Sequence, residues 1–244
     1  MHDVGEWSFS SRVEDKLGMS NPQTSAATDT QRRPRKRMDR EKREAHIVEE
    51  AIKFFAEHGL EGKTRDLADR IGITQPLLYR YFPSKEHLIE RVYEEVYVGR
   101  WNPDWEALIA DRSQPLAERM IRFYHEYADA IYDYVWVRIF VFSGLKGMDI
   151  NNRYLRHVRA HLLEPYCTEM RHDFGLPPAD EIPISDEEVE LTWSLHGMFF
   201  YRAIRHFVYN LPMIENHKVA IENDVRAFLA GADVAQKAII AKYA

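Results

Sequence analysis

The stretch from Thr64 to Lys85, TRDLADRIGITQPLLYRYFPSK, constrains this chain more than any other. It holds two short helix patterns with almost no room between them. Leu67, Ala68 and Ile71 fall on one helix face. Gly72 follows, where a helix end can turn left-handed without Cβ strain. Ile73 fills the corner, and Thr74 is a suitable N-cap for a second helix. Pro76 falls in the first turn of that helix, where its missing N–H matters little. Leu78 and Phe82, four apart, give the second helix its inward side. Gln75, Pro76, Leu77, Tyr79, Arg80 and Tyr81 are then left facing solvent, with no acid among them. Two short helices joined by a three-residue turn containing glycine form a helix-turn-helix. An acid-free polar face on the second helix suits phosphates and base edges, so the stretch predicts a DNA-reading element.

The flanks fit this reading. A helix is predicted from Arg40 to His58, stopped at Gly59. Its apolar face of Ile47, Val48, Ala51, Ile52, Phe54 and Phe55 is too wide for a free surface helix, so it is expected to pack on the pair as a scaffold. Phe82-Pro83-Ser84 should end the recognition helix, because a residue before proline is pushed out of the α region. Ser84 should cap a fourth helix running through Leu88, Ile89, Val92, Tyr93 and Val96 to about Gly99. Lys85 at the start of that helix opposes the helix dipole unless an anion sits there.

The run Gly72-Ile73-Thr74-Gln75-Pro76-Leu77-Leu78-Tyr79-Arg80-Tyr81-Phe82, followed by Ser84-Lys85-Glu86 and Leu88, resembles the TetR family of bacterial repressors. Upstream, Ile47, Ala51, Phe54, Phe55 and Gly59 are similar to the family's first helix. The resemblance implies an N-terminal three-helix DNA-binding domain and a larger helical domain for ligand binding and dimerisation. It also implies that Lys85 lies at the DNA backbone. One departure concerns helix two. The family pattern puts its capping Ser or Thr four residues before the Ile-Ala pair, whereas Thr64 stands three before Leu67 and Lys63 takes the usual place. Either the loop is one residue shorter or the helix starts later. Thr64 is expected to cap, and Arg65 to make the phosphate contact.

The chain as a whole agrees with an all-α protein. Over its 244 residues, apolar periodicity near the helical value recurs from about Arg40 onward. A single cysteine, Cys167, excludes an intramolecular disulfide. Residues 1–31 lack the apolar core of a secretory signal. The most apolar runs are broken by Asp133 and Arg138, and by Arg202 and Arg205, so neither reads as a membrane span. A cytoplasmic protein is expected. The net charge of −6 does not argue against DNA, because its distribution matters more than its sum. Eight basic residues fall between Arg32 and Arg43, whereas from Trp101 onward 15 basic residues face 21 acidic ones. Residues 1–38 are read as a disordered arm ending in a basic cluster, 39–100 as the DNA-binding domain with its linking helix, and 101–244 as the ligand-binding and dimerisation domain.

The second part carries no motif of its own. It is rich in aromatics, which suit a pocket for a flat or apolar ligand and equally suit a core. Phe123, Tyr127, Trp136, Phe140, Trp193 and His196 are the pocket candidates. His157 and His161, four apart with Glu164 nearby, have ligand-like spacing, and Glu169 and His172 form one Glu-x-x-His. A di-iron bundle would need that motif twice, so no metal and no cofactor is expected. No phosphate loop or nucleophile motif is present, and no catalytic residue is assigned. Ser185-Asp186-Glu187-Glu188 predicts a capping box that opens a long helix. The two C-terminal helices carry large apolar residues on more than one face. Within the resemblance these would pair with a second copy, with Trp193, Phe200, Phe207, Val225, Phe228 and Leu229 as interface candidates.

Together these features predict a homodimeric, ligand-responsive repressor on a palindromic double-stranded operator, with an unknown small-molecule effector and no membrane partner. Arg65, Thr74, Gln75, Pro76, Leu77, Tyr79, Arg80, Tyr81 and Lys85 form the expected DNA face. Gln75 and Arg80 are the candidates for base contact, and Tyr79, Tyr81, Arg65 and Lys85 for phosphate contact. The alternative is a helical small-molecule-binding protein or enzyme whose helix-turn-helix is only a packing unit.

Overall fold

Helix follows helix wherever the apolar period runs. The structure is a computed structural model that describes residues 39–243, and among these every regular element is helical. The arm assigned to residues 1–38 lies outside the described residues. Helix α1 spans Arg40–His58 and buries Ile47, Val48, Ala51, Phe54 and Phe55. Gly59 ends it at φ 75°. Helices α2 (Thr64–Ile71) and α3 (Gln75–Tyr81) come next. Between them Gly72 adopts φ 74° and ψ 33°. That left-handed turn lets Ile73 N–H reach Ala68 O at 3.0 Å and Gly72 N–H reach Asp69 O at 3.1 Å, closing the helix end. The loop into α2 is equally tight. A Cβ on Gly62 would lie 2.3 Å from the Phe54 ring, so α1 and the loop meet only with glycine there.

Ser84 Oγ accepts from His87 N–H at 3.3 Å and starts α4 (Lys85–Val96). This helix gives way to a 3₁₀ turn at Val98–Arg100. A short helix unassigned from sequence, α5 (Asp104–Ala110), then buries Trp105 and Ile109. The remaining helices are α6 (Leu116–Ile131), α7 (Tyr134–Leu145), α8 (Asp149–Val158), α9 (Glu164–Asp173), α10 (Asp186–Phe207) and α11 (His217–Ile240). Leu116, Met120, Phe123, Tyr127 and Ile131 form the buried stripe of α6, as its sequence spacing predicts.

One expectation is overturned, and a second is met by a π turn. The apolar run at α7 reads as a helix buried nearly all round, yet Tyr134 is 46% and Leu145 77% exposed. The helix lies on the side of the body, where it holds α1. Arg138 Nε donates to Ala56 O at 2.7 Å, and Gly59 faces the Phe142 ring. The second concerns the bend predicted near Pro165. It takes the form of a π turn at Arg159–Leu163, with Glu164 N–H bonding Arg159 O. Proline at 165 has no N–H for the carbonyl four residues earlier, and the wider turn absorbs the mismatch.

The capping box at Ser185 is present, with Ser185 Oγ and the Glu188 carboxylate each accepting the other's backbone N–H. Glu188 also receives Arg171 Nε at 2.8 Å and Nη2 at 2.6 Å, and both side chains are 1% exposed. Arg171 further donates to Ile182 O at 2.5 Å, and Gln236 Nε2 to Glu188 Oε1 at 3.0 Å. One guanidinium thus ties α9, the loop before α10, α10 itself and, through Gln236, α11. Burial alone would push the Glu188 carboxyl up, but the hydrogen bonds from Arg171, Ser185 and Gln236 win and hold it below its usual range. None of the described helices is long and apolar enough to cross a membrane.

Candidate nucleic-acid interface and ligand cavity

Helix α3 is seated through Leu78, 1% exposed, and Phe82, 5% exposed. Thr74 Oγ1 accepts from Leu77 N–H at 3.4 Å, and Pro76 lies in the first turn. Pro76, Tyr79 and Arg80 are exposed, and Gln75, Leu77 and Tyr81 half-buried. Tyr81 departs from the sequence reading, because its ring packs against the core. Lys85 is half-buried and Arg65 exposed.

Thr64 also differs from expectation. It is the first residue of α2 rather than its cap, and Lys63 takes the capping position without a side-chain bond. The Thr64 hydroxyl turns inward instead, at 7% exposure. It meets the Tyr79 hydroxyl at 2.9 Å and accepts from Gln75 Nε2 at 3.0 Å. This three-residue clasp was not visible in the sequence, because residues eleven and fifteen apart meet only once the turn is folded. It holds the Gln75 amide through one of its two N–H groups, leaving the other N–H and the carbonyl oxygen for a further partner.

The charges around α3 are sorted. Arg70, on the far side of α2, is held by Glu57 at 2.6 Å and Glu50 at 3.5 Å. Lys63, Arg65, Arg80 and Lys85 make no ion pair among the described residues. Cations left unpaired beside an acid-free helix are what counterion release at a phosphate backbone requires.

In the body, the pocket candidates are packed as core. Phe123 stacks on Tyr127 with centroids 5.4 Å apart, and Trp136 on Phe140 at 5.1 Å. Trp193 is half-buried beside His196 at 5.5 Å. Tyr127 and His196 belong to a buried polar chain, in which the Tyr154 and Tyr127 hydroxyls lie 2.9 Å apart and the Tyr127 hydroxyl lies 3.5 Å from His196 Nε2. Burial pushes the His196 pKa down to about 4. Its Nδ1 and the hydroxyls of Tyr124 and Tyr166 have no partner among the described residues.

A cavity of about 520 Å³ opens next to this chain, between the end of α4, the turn after it and α8. Tyr93, Tyr97, Val98, Trp101, Pro103, Arg153, Tyr154 and His157 line it, and none of the six pocket candidates does. Burial and the neighbouring His161 lower the His157 pKa. The metal-like spacing resolves into other contacts. His161 Nδ1 pairs with Glu106 at 2.9 Å, and Glu169 lies between Arg112 and Arg119, each at 2.9 Å. Among the described residues no three His, Cys, Asp or Glu side chains converge on a metal position.

The interface candidates divide. Val225 is fully buried within its own chain and offers nothing to a second copy. Trp193, Phe200, Phe207, Phe228 and Leu229 are half-buried and pack on the core. The exposed large apolar residues of α10 and α11 are Met198, Tyr201, Val219 and Val234, with open space over Gly197 and Gly231.

A helix-turn-helix held by a scaffold helix and followed by a helical body defines a class of DNA-binding regulator fold. The family described as bacterial regulatory proteins, tetR family, matches residues 47–92 of this chain. The HTH-type transcriptional repressor KstR2 of Mycolicibacterium smegmatis is 37% identical over 70 residues, covering 28% of this chain and 31% of that protein. The match thus spans about a third of that relative. A TetR-like regulator from Rhodococcus sp. RHA1 has a TM-score of 0.58 at 17% identity, over 80% of this chain and 100% of its own. A tetR-family regulator from Streptomyces coelicolor has a TM-score of 0.53 at 17% identity, over 84% and 90% of the two chains. At such identities the two structures establish the fold alone.

Proposed function

We propose that this protein is a cytoplasmic transcriptional repressor that binds a roughly palindromic operator as a homodimer and responds to a small molecule held in its helical body. The observation that carries the reading is the acid-free outward face of α3, flanked by the unpaired cations Arg65, Arg80 and Lys85. Arg80 reads a base in the major groove, with Leu77 against a thymine methyl. Gln75 contributes through its remaining N–H and carbonyl oxygen and, with Tyr79, holds α3 in position. Lys85 and Arg65 rest on phosphates.

Two copies place their recognition helices in successive major grooves. The exposed Met198, Tyr201 and Val234 favour α10 and α11 as the dimer surface. A small molecule acts only by preferring one of two arrangements of the dimer, and α4, which follows the recognition helix, is the element through which it acts. Residues 39–100 serve as the reading domain, 101–244 as the body, and 1–38 as a basic arm along the DNA.

A fluorescence-anisotropy titration with the protein's own upstream DNA tests this reading. Saturable binding that survives competition by unrelated DNA, and that Arg80→Ala weakens, is the expected result. Equal retention of upstream and unrelated DNA at all salt concentrations would refute it.

A further inference from the structure

Resting on the ligand-responsive reading above, we propose that the cavity between α4 and α8 takes a small carboxylate with a flat aromatic body. The carboxylate binds Arg153 in competition with Glu90 and thereby unlatches α4 from α8. The cavity's volume of about 520 Å³ lies within the range of small-molecule sites. Its walls are rings, namely Tyr93, Tyr97, Trp101 and Tyr154, which favour a flat apolar body. Its basic lining residues are Arg153 and His157, and no carboxylate lines it. That balance selects an anion over a cation.

Arg153 is already placed for such a ligand. Its guanidinium lies 4.2 Å over the Tyr93 ring, inside the cavity wall. Its Nη1 and Nη2 bind Glu90 at 2.7 and 2.8 Å, and its Nε has no partner among the described residues. The Glu90 pair is solvent-facing, with side chains 38% and 48% exposed. An exposed ion pair of that kind contributes little, so it yields to a carboxylate bound in a less hydrated cavity. Glu90 belongs to α4, whose first turn carries Lys85. Exchange of one carboxylate for another at Arg153 therefore removes a tie between α8 and the helix that adjoins the recognition helix.

The test uses the purified full chain with 2-naphthoate and its neutral counterpart 2-naphthalenemethanol, read by tryptophan emission and calorimetry. Naphthoate should bind the wild type about tenfold more tightly than the alcohol, the difference expected of a charge-assisted pair. Arg153→Gln should bring the two within about twofold by weakening naphthoate alone. Glu90→Gln, an exposed change that leaves the fold intact, should tighten naphthoate about three- to tenfold by removing its competitor and leave the alcohol unchanged. Equal binding of both probes by the wild type, binding of neither, or weaker naphthoate binding in Glu90→Gln would each overturn the proposal. Upstream-DNA binding, measured on the same samples, keeps the two readings separate. Intact DNA binding without anion preference overturns the cavity inference alone, and wild-type protein that ignores its DNA overturns the regulator reading.

Discussion

Replacing Thr64 by valine isolates the clasp behind the recognition helix. Valine keeps the shape of threonine but removes the oxygen that meets Tyr79 at 2.9 Å and Gln75 at 3.0 Å. A hydrogen bond contributes about 0.5–1.5 kcal/mol net. Both partners have access to water, Tyr79 at 38% exposure, so water replaces part of each loss. The change should lower folding stability by about 1–2 kcal/mol, read by urea denaturation. The effect on DNA arises differently. Once released, Gln75 and Tyr79 must be immobilised on binding at about 0.5–1.5 kcal/mol each. Operator affinity should then fall by about 1–2 kcal/mol, or roughly 5- to 30-fold. Thr64→Ser, which keeps the oxygen, should remain within about twofold of wild type. If Thr64→Val binds its operator as well as or better than wild type, the clasp does not pre-arrange the helix, and Gln75 reads DNA only after leaving it.

Other substitutions test separate parts of the account. Lys85→Ala should lower the slope of log affinity against log salt by about one and weaken all sequences alike, whereas Arg80→Ala should relax preference at one base pair, as measured by operator-variant titrations. Arg171→Met should destabilise by about 3–5 kcal/mol, because it strands a buried Glu188. The sign with pH follows from the depressed Glu188 carboxyl. In wild type its contribution is present above the ordinary glutamate value and lost as pH falls through the lower folded one. In Arg171→Met only Ser185 and Gln236 still oppose burial, so the deficit in denaturation midpoint should shrink on acidification rather than grow. Val234→Arg, at a position 70% exposed, should leave the fold unchanged and yield a monomer by light scattering, with weaker operator binding.

The reading domain was legible because its signals are local. Gly72, Thr74, Pro76 and Ser84 each act on backbone within a turn of themselves, and α1 and α3 fall where their apolar spacing and caps place them. The clasp was not legible, since Thr64, Gln75 and Tyr79 are neighbours only in three dimensions. In the body, the aromatic residues could be counted but not sorted. Trp136 and Phe123 became core, while Tyr97 and Trp101 came to line the cavity, according to how α4, α5 and α8 pack. A nearer signal existed in α8, where Arg153 and His157 stand one turn apart beside Tyr154. Val225 was misjudged for the same reason. Its helix has apolar residues on several sides, and the sequence does not say which side the chain itself covers.

Arg138 has a consequence for how the molecule melts. Its guanidinium holds the last turn of α1 through Ala56 O and lies over Tyr134 and Phe142 of its own helix. The reading head and the body therefore share a seam made at the very end of the scaffold helix. Local unfolding of the head has to release that seam first, which raises the free energy of the partly open form. A single sigmoidal transition, reported alike by far-ultraviolet dichroism and tryptophan emission, is the behaviour such a seam imposes.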